Sequence, residues 1–271
     1  MDLYNLPNAT DPPRTTASSL SIPSLLCATT FAVWLINFVY WCVQDYRLYK
    51  SLGPGGPPYN IRGWLEVSFF VRPFTLAANE TLWTGDYPRT GCHKEIEALP
   101  ERAGERPVVK GIAPQRQFNQ FAPKDMNSRI LSVFASLVKK NSGLLEQKLS
   151  VFEKHHIALF VHHDLVSKPK ELPETAIRSR GELGHIHGEA SVHLYFSPAD
   201  AKVIIEKGWA ERHRCARTQP WYFGWKKYMF GIGDTFLFVY VPRNDAELEV
   251  LKTLLWASAR FMTGEKDIVA P

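Results

Sequence analysis

Paired cysteines are missing from this chain. It holds four cysteines, Cys27, Cys42, Cys92 and Cys215, and none stands in a C-x-x-C pair. That spacing argues against a structural zinc site of the ribbon or finger type and against a disulfide framework. It fits a reducing compartment for the bulk of the chain. Dense basic runs and nucleic-acid motifs are also lacking. The net charge of +5 comes from lysines and arginines scattered along 271 residues. Such a charge describes a solvated surface with some attraction to anionic lipid, and no nucleic-acid partner. No internal repeat occurs. The length allows one substantial domain with accessory segments, and 45% hydrophobic residues can fill its core.

One long run is free of charge. Leu20 to Val43 contains no charged side chain, with Arg14 and Asp45 outside it. As a helix it extends about 36 Å, enough for a hydrocarbon core of about 30 Å. Trp34, Tyr40 and Trp41 add aromatics, two of them at the end where an interfacial belt is expected. A cleaved leader is disfavoured, because the run is long, no basic cluster precedes it and no A-x-A site follows. The segment reads as a transmembrane signal anchor. Arg47, Lys50 and Arg62 follow it against Arg14 before it, which places the C-terminal side in the cytosol, as for a single-pass protein of the endoplasmic reticulum. The sequon at Asn8 is then lumenal, and the sequon at Asn79 is cytosolic and unused.

The chain thus divides into an N-terminal tail (1–19), the anchor (20–43), a linker and membrane-proximal segment (44–110), an α+β domain (111–264) and a C-terminal tail (265–271). Ser51 to Pro58, rich in Gly and Pro, reads as a linker leaving the bilayer. Trp64 to Leu76 reads as an interfacial or core helix, and 84–110 as mostly loop. In the domain, Pro123 and Asp125 open a helix carrying Ile130, Leu131, Phe134, Leu137 and Val138 that ends by Gly143. His156–Val161, Gly184–His187, Ser191–Phe196 and Thr235–Val241 read as strands. Ser197-Pro198 caps a helix that stops at Gly208, and Asn244 caps a final helix closed by Gly264. Strands interleaved with helices, one tight hairpin among them, predict an antiparallel sheet covered by helices.

His185 and His187 are two apart, so on a strand they share a face. A tight connection sets His185 opposite His193, on that same face. Three imidazoles then converge, with Glu189 at the turn and His213 arriving after the next helix. Imidazole is both base and acid near neutral pH, which suits proton transfer. Three histidines on one face also make a set of zinc or iron ligands, and singly each fits plain hydrogen bonding within a sheet. His155-His156 and His162-His163 are weaker pairs, since neighbours on a strand point opposite ways. The stretch from Trp221 through Trp225 to Phe230 is suited to walling a pocket for a flat substrate, dipping into a membrane surface, or packing over the sheet.

The ordered series Gly184-His-Ile-His187, Ser191-Val-His-Leu194 and Lys207-Gly-Trp-Ala-Glu-Arg-His213 resembles the luciferase domain of fungal luciferases. Tyr240-Val-Pro-Arg-Asn244, Ala257 to Thr263, Asn60-Ile-Arg-Gly63, Pro114-Gln-Arg-Gln117 and the apolar N-terminal segment extend the resemblance over nearly the whole chain. It implies oxidation of a hydroxylated styryl-pyrone by molecular oxygen as co-substrate, without metal or flavin. Such chemistry needs a base to form an enolate, donors or cations to hold its charge, and a dry pocket. His185, His187, His193 and His213 are assigned to the base and donors, and Arg243 to the anion. Glu189, Tyr195, Trp209, Trp221 and Trp225 are the candidate substrate contacts. Between His213 and Thr235 the aromatic segment replaces the shorter Pro/Gly-rich stretch expected of luminous enzymes, which points to a non-luminous relative. The expected partners are an aromatic or polyketide-like small molecule and the lipid bilayer. The expected function is oxygenation in specialised metabolism. A cofactor-free isomerase, dehydratase or cyclase, or a non-catalytic membrane-tethered binding module, is the alternative.

Overall fold

The computed structural model describes residues 21–167, 172–217 and 231–271. The chain divides into two units, 1–45 and 46–271. In the first, the apolar run forms most of helix α1 (Ile22–Ser51), 30 residues long and apolar enough to cross a membrane. Its side chains up to Val43 are almost all exposed, so the apolar surface serves no protein core; a helix apolar all round needs a lipid or protein environment to cover it. Charge ends the apolar run but not the helix. Asp45, Arg47 and Lys50 are sound helix formers or tolerated near an end, and α1 stops only before Gly53-Pro54.

The second unit begins with irregular helix. Asn60 caps α2 (Ile61–Leu65), its side chain accepting hydrogen bonds from the amides of Arg62 at 3.0 Å and Gly63 at 3.3 Å. The backbone then widens into a π-turn at Glu66–Val71 and tightens to a 3₁₀ turn at Arg72–Phe74. The single helix expected over Trp64–Leu76 is therefore split into three kinds of turn, with Pro73, which lacks an amide donor, in the last of them. After a four-residue helix α3 (Lys94–Glu97), β1 (Val109–Gly111) and β2 (Gln115–Gln117) make a small antiparallel pair.

The central sheet follows. Helix α4 (Met126–Lys140) leads into β3 (Leu145–Leu149) and β4 (Ile157–Val161). Two short helices, α5 (His163–Val166) and α6 (Glu174–Arg178), precede β5 (Glu182–Ile186) and β6 (Val192–Tyr195). Helix α7 (Pro198–Glu206) is capped by Ser197, whose hydroxyl accepts the Asp200 amide at 3.2 Å. Then come β7 (Ala210–Arg212), β8 (Phe236–Val239) and α8 (Asp245–Thr263). Asn244 caps α8 and Gly264 ends it at a φ of 71°, the left-handed conformation that glycine adopts without strain. The six strands run in the order β3-β4-β5-β6-β8-β7, all neighbours antiparallel.

Alternation explains the two faces. Leu159, Val161, Ile186, Val192, Leu194, Leu237 and Val239 are buried with Leu251, Leu254 and Leu255 of α8 and with Ile130, Phe134 and Leu137 of α4. Truncating any one of these leucines to alanine costs about 2–5 kcal/mol. The intervening residues, His185 and His193 among them, turn to the other face. That face is covered by loops. The segment expected to be a linker is packed into this unit: Leu52 is buried, and the Gly56 amide donates to the Glu153 carbonyl at 3.0 Å. A Cβ on Gly55 would meet the ends of the Arg116 and Glu153 side chains at 2.6–2.8 Å, so that pair would have to shift. The C-terminal residues are also held: the Asn141 side chain bonds both the Val269 carbonyl at 2.8 Å and its amide at 2.9 Å.

Candidate active site

The β5–β6 pairing sets His185 directly opposite His193, and the His187 amide donates to the Ser191 carbonyl at 2.9 Å. Three imidazoles are thereby brought to one place. Ring centres lie 5.2 Å apart for His185–His187, 5.3 Å for His185–His193 and 4.8 Å for His187–His193. His213, just past the end of β7, adds a fourth ring 5.0 Å from His193, its amide bonded to the Phe236 carbonyl. Phe236 stacks on His193 at 4.7 Å and forms the apolar floor of the group. All four histidines are buried from bulk solvent, yet they line a cavity of about 390 Å³. Its outer wall comes from Gly55–Pro58, Ala113–Gln115 and Val151–Lys154.

A residue that the sequence pattern did not reveal completes the arrangement. Strict alternation puts Glu182 on the helix face of the sheet, away from His185. The pairing of β4 with β5 slips between Leu159 and Phe160: Leu159 faces Gly184, but Phe160 faces Glu182. Leu183 is the extra residue of a bulge, and Glu182 turns onto the histidine face. Its carboxylate, fully buried, accepts hydrogen bonds from His185 Nδ1, Ser150 Oγ and the Val151 amide, each at 2.7 Å.

The hydrogen-bond network assigns the ring tautomers. His185 Nδ1 donates to Glu182, and His193 Nδ1 donates to the Leu237 carbonyl at 3.2 Å. Ser191 gives its hydroxyl proton to Glu189 at 2.8 Å, so it receives the Nδ1 proton of His187, also at 2.8 Å. In each of these rings Nε2 carries the lone pair. His213 is the opposite case: its Nδ1 accepts from the Cys215 amide at 3.1 Å, and the ring also hydrogen-bonds the backbone of Ile112. Burial holds His187 and His193 well below the ordinary histidine range, helped by the Arg116 charge at His187 and by neighbouring imidazoles. Burial likewise pushes His213 down to about 3. These rings are neutral at physiological pH.

Arg116 crosses the wall of the cavity. It is paired with Glu153, lies 3.8 Å from Glu189, and donates to the Pro54 carbonyl at 2.9 Å. Burial raises the Glu153 carboxyl despite that partner. On the far side a second cavity is lined by Leu52, Arg116, Phe118, His156, Gly188 and Glu189.

Other expected site residues are placed elsewhere. Arg243 is held by Glu247 and by the Ala103 carbonyl at 2.9 Å, off the cavity, because it lies past the end of β8 at the cap of α8. Tyr195 shares the histidine face but is fully buried, stacked on Phe236 at 4.3 Å. Trp209 donates its indole N–H to the Pro100 carbonyl at 2.7 Å and packs in the core. Glu189 reaches the cluster through Ser191. Trp221, Trp225 and Asn8 fall outside the described residues, and Asn79 is exposed in a 3₁₀ turn. His162 and His163 are not on opposite faces as expected. The chain leaves β4 at Val161, so their rings meet at 4.2 Å beside Glu146.

Residues 180–258, which carry Glu182 and all four cavity histidines, match the family model of the luciferase domain. Over a longer span the chain is 30% identical to a luciferase of Armillaria gallica, across 233 residues and 82% of both chains. The chain belongs to the fungal luciferase family. A luciferase of Armillaria mellea is 29% identical over 89% of both chains. One of Neonothopanus nambi is 26% identical over 82% of this chain and 81% of its own. No solved structure matches. For this family member, then, the site is read from its own geometry: three spare imidazole lone pairs, one carboxylate-backed histidine and a dry floor.

Proposed function

We propose that this family member is an enzyme that oxygenates a small, electron-rich substrate of the polyketide-pyrone or phenolic kind in the histidine cavity. The observation that supports this most is the convergence of three buried imidazoles whose Nδ1 atoms are all engaged as donors, with Glu182 backing His185. Reaction of such a substrate with oxygen begins with loss of an acidic O–H or C–H proton, which makes an anion rich enough to give up electrons. The lone pairs are the part of the site that makes that loss favourable. Burial lowers the cost of the reaction further by keeping competing water away. A volume of about 390 Å³ admits a molecule with one or two rings. The long apolar helix at the N-terminus supports a membrane-anchored enzyme, with the histidine domain in the cytosol and lipophilic substrates drawn from the bilayer.

The test is oxygen consumption by the full chain in detergent with hydroxylated styryl-pyrones and simple phenols. Consumption matched to product, abolished in His193→Ala, supports the reading. Turnover with no oxygen consumed replaces it with a cofactor-free isomerase, dehydratase or cyclase. Binding with no turnover leaves a membrane-tethered binding module.

A further inference from the structure

We infer that His185, His187 and His193 bind a divalent first-row transition-metal ion through their Nε2 atoms, with the open coordination positions facing the cavity. One ring nitrogen from each residue lies within 4.8 Å of the others. Three atoms at that spacing surround a point about 2.8 Å from each, and zinc–imidazole bonds are about 2.0–2.1 Å, so each ring closes by less than about 1 Å.

Three features distinguish this group from histidines that merely pack. The first is tautomer: Nδ1 of all three is already used as a donor, which leaves the Nε2 lone pairs as the atoms to spare. The second is the outer partners. A metal-bound histidine commonly gives its other N–H to a carboxylate, a hydroxyl or a backbone carbonyl, which fixes the ring and raises its basicity. Glu182, Ser191 backed by Glu189, and the Leu237 carbonyl are one of each. The third is convergence: one ring nitrogen from each of three buried residues gathers within 4.8 Å beside the cavity, an arrangement that a cation relieves and that packing alone does not.

Donor type sets the class of ion. Three imidazole nitrogens suit zinc, iron, copper or nickel and do not suit the oxygen-seeking Mg²⁺ or Ca²⁺. His213 is outside the set, since its Nδ1 already accepts the Cys215 amide. The exposed group of Glu146, His162 and His163 lacks this buried support. The inference rests on the reading of the cavity as the reactive site. A bound ion would be held by these three imidazoles and would supply Lewis-acid chemistry at the cavity.

The experiment uses the full chain in detergent, purified without a polyhistidine tag. Metal analysis of wild-type protein is expected to give one transition-metal ion per chain. After stripping with a chelator, Co²⁺ is expected to restore visible absorption bands that saturate at one equivalent. His187→Ala and His193→Ala should abolish the bands, and His213→Asn should keep them. Ser191→Ala removes only an outer partner and should weaken Co²⁺ binding about 10–100-fold, which keeps the test valid if the histidine variants do not fold. Folded wild-type protein that carries no metal and shows no saturable bands overturns the inference, as do bands that persist in His187→Ala. Oxygen uptake measured on loaded and stripped protein separates the two readings. Metal binding without uptake removes the oxygenase alone, and equal uptake by stripped protein that ignores Co²⁺ removes the metal alone.

Discussion

Glu182 and His185 stand three residues apart in β5, yet both face the cavity side of the sheet, joined by a 2.7 Å hydrogen bond. The bulge at Leu183 is the cause. It makes the partner of a buried imidazole out of a glutamate that strict alternation would aim at the helices.

Replacing Glu182 by Gln therefore tests the pair. The amide can donate to His185 Nδ1, which forces the proton onto Nε2 and turns a lone pair facing the cavity into an N–H. Turnover measured as oxygen uptake should fall by about 10²–10⁴-fold. The loss of one of the acceptor oxygens that hold His185, Ser150 and Val151 should also cost about 1–3 kcal/mol of stability in thermal unfolding. Unchanged turnover would remove the pair from the chemistry.

Glycines 184 and 188 should respond in opposite ways to alanine. At Gly184 a Cβ would meet the His193 carbonyl oxygen at 1.8 Å, backbone that has nowhere to go. Gly184→Ala is expected to cost more than about 3 kcal/mol and to appear as poor folding or a large fall in Tm. At Gly188 the nearest neighbour is a His156 ring atom at 3.8 Å. Gly188→Ala should stay within about 0.5 kcal/mol of wild type.

Arg243 gives a contrast between structure and chemistry. It braces the cap of α8 through Glu247, whose carboxylate also accepts the Arg243 amide at 2.9 Å. Arg243→Ala should lower stability by about 1–2 kcal/mol while leaving kcat unchanged. A drop in kcat with Tm preserved would restore the anion-holding role.

The Glu211 carboxyl supplies a pH signature. Burial raises it from 4.5 to about 7, although Tyr240 donates to it at 3.1 Å. The folded chain then binds this proton more tightly than the unfolded chain. Its effect on stability is absent below about pH 4.5 and grows as a penalty as pH rises to about 7. Glu211→Gln should therefore gain stability relative to wild type at pH 8 and not at pH 4.5. The difference, read from denaturant midpoints, should be on the order of 2 kcal/mol once partial solvent access is allowed for.

The legible parts of this fold were those with local signals. Ser197-Pro198 and Asn244 announced their helices by capping chemistry, and the H-x-H spacing with a tight turn was enough to align His185 with His193. Short or polar strands gave no such signal: β3 reads Leu-Glu-Gln-Lys-Leu, and β7 is three residues long. Glu182 was hidden for a different reason. A bulge depends on how β4 and β5 fit together, and nothing in the run Glu-Leu-Gly-His marks the extra residue except the glycine beside it. The part played by Gly55-Gly56 was equally non-local. Their composition signals a turn, but only the approach of Arg116 and Glu153 shows that they form a wall.

His185 and His193 lie on β5 and β6, the two middle strands of six, whereas the opposite wall of the cavity is made of loops. Amide exchange should accordingly be slowest behind the reactive rings and fastest at Gly55–Pro58 and Val151–Lys154. On the proposed function, the histidine geometry sits in the stiffest layer and passage of molecules in and out falls to the softest. Substrate residence time and bond-making would then be governed by separate parts of the polypeptide, and variation in the loops would change the preferred guest while the chemistry stays in place.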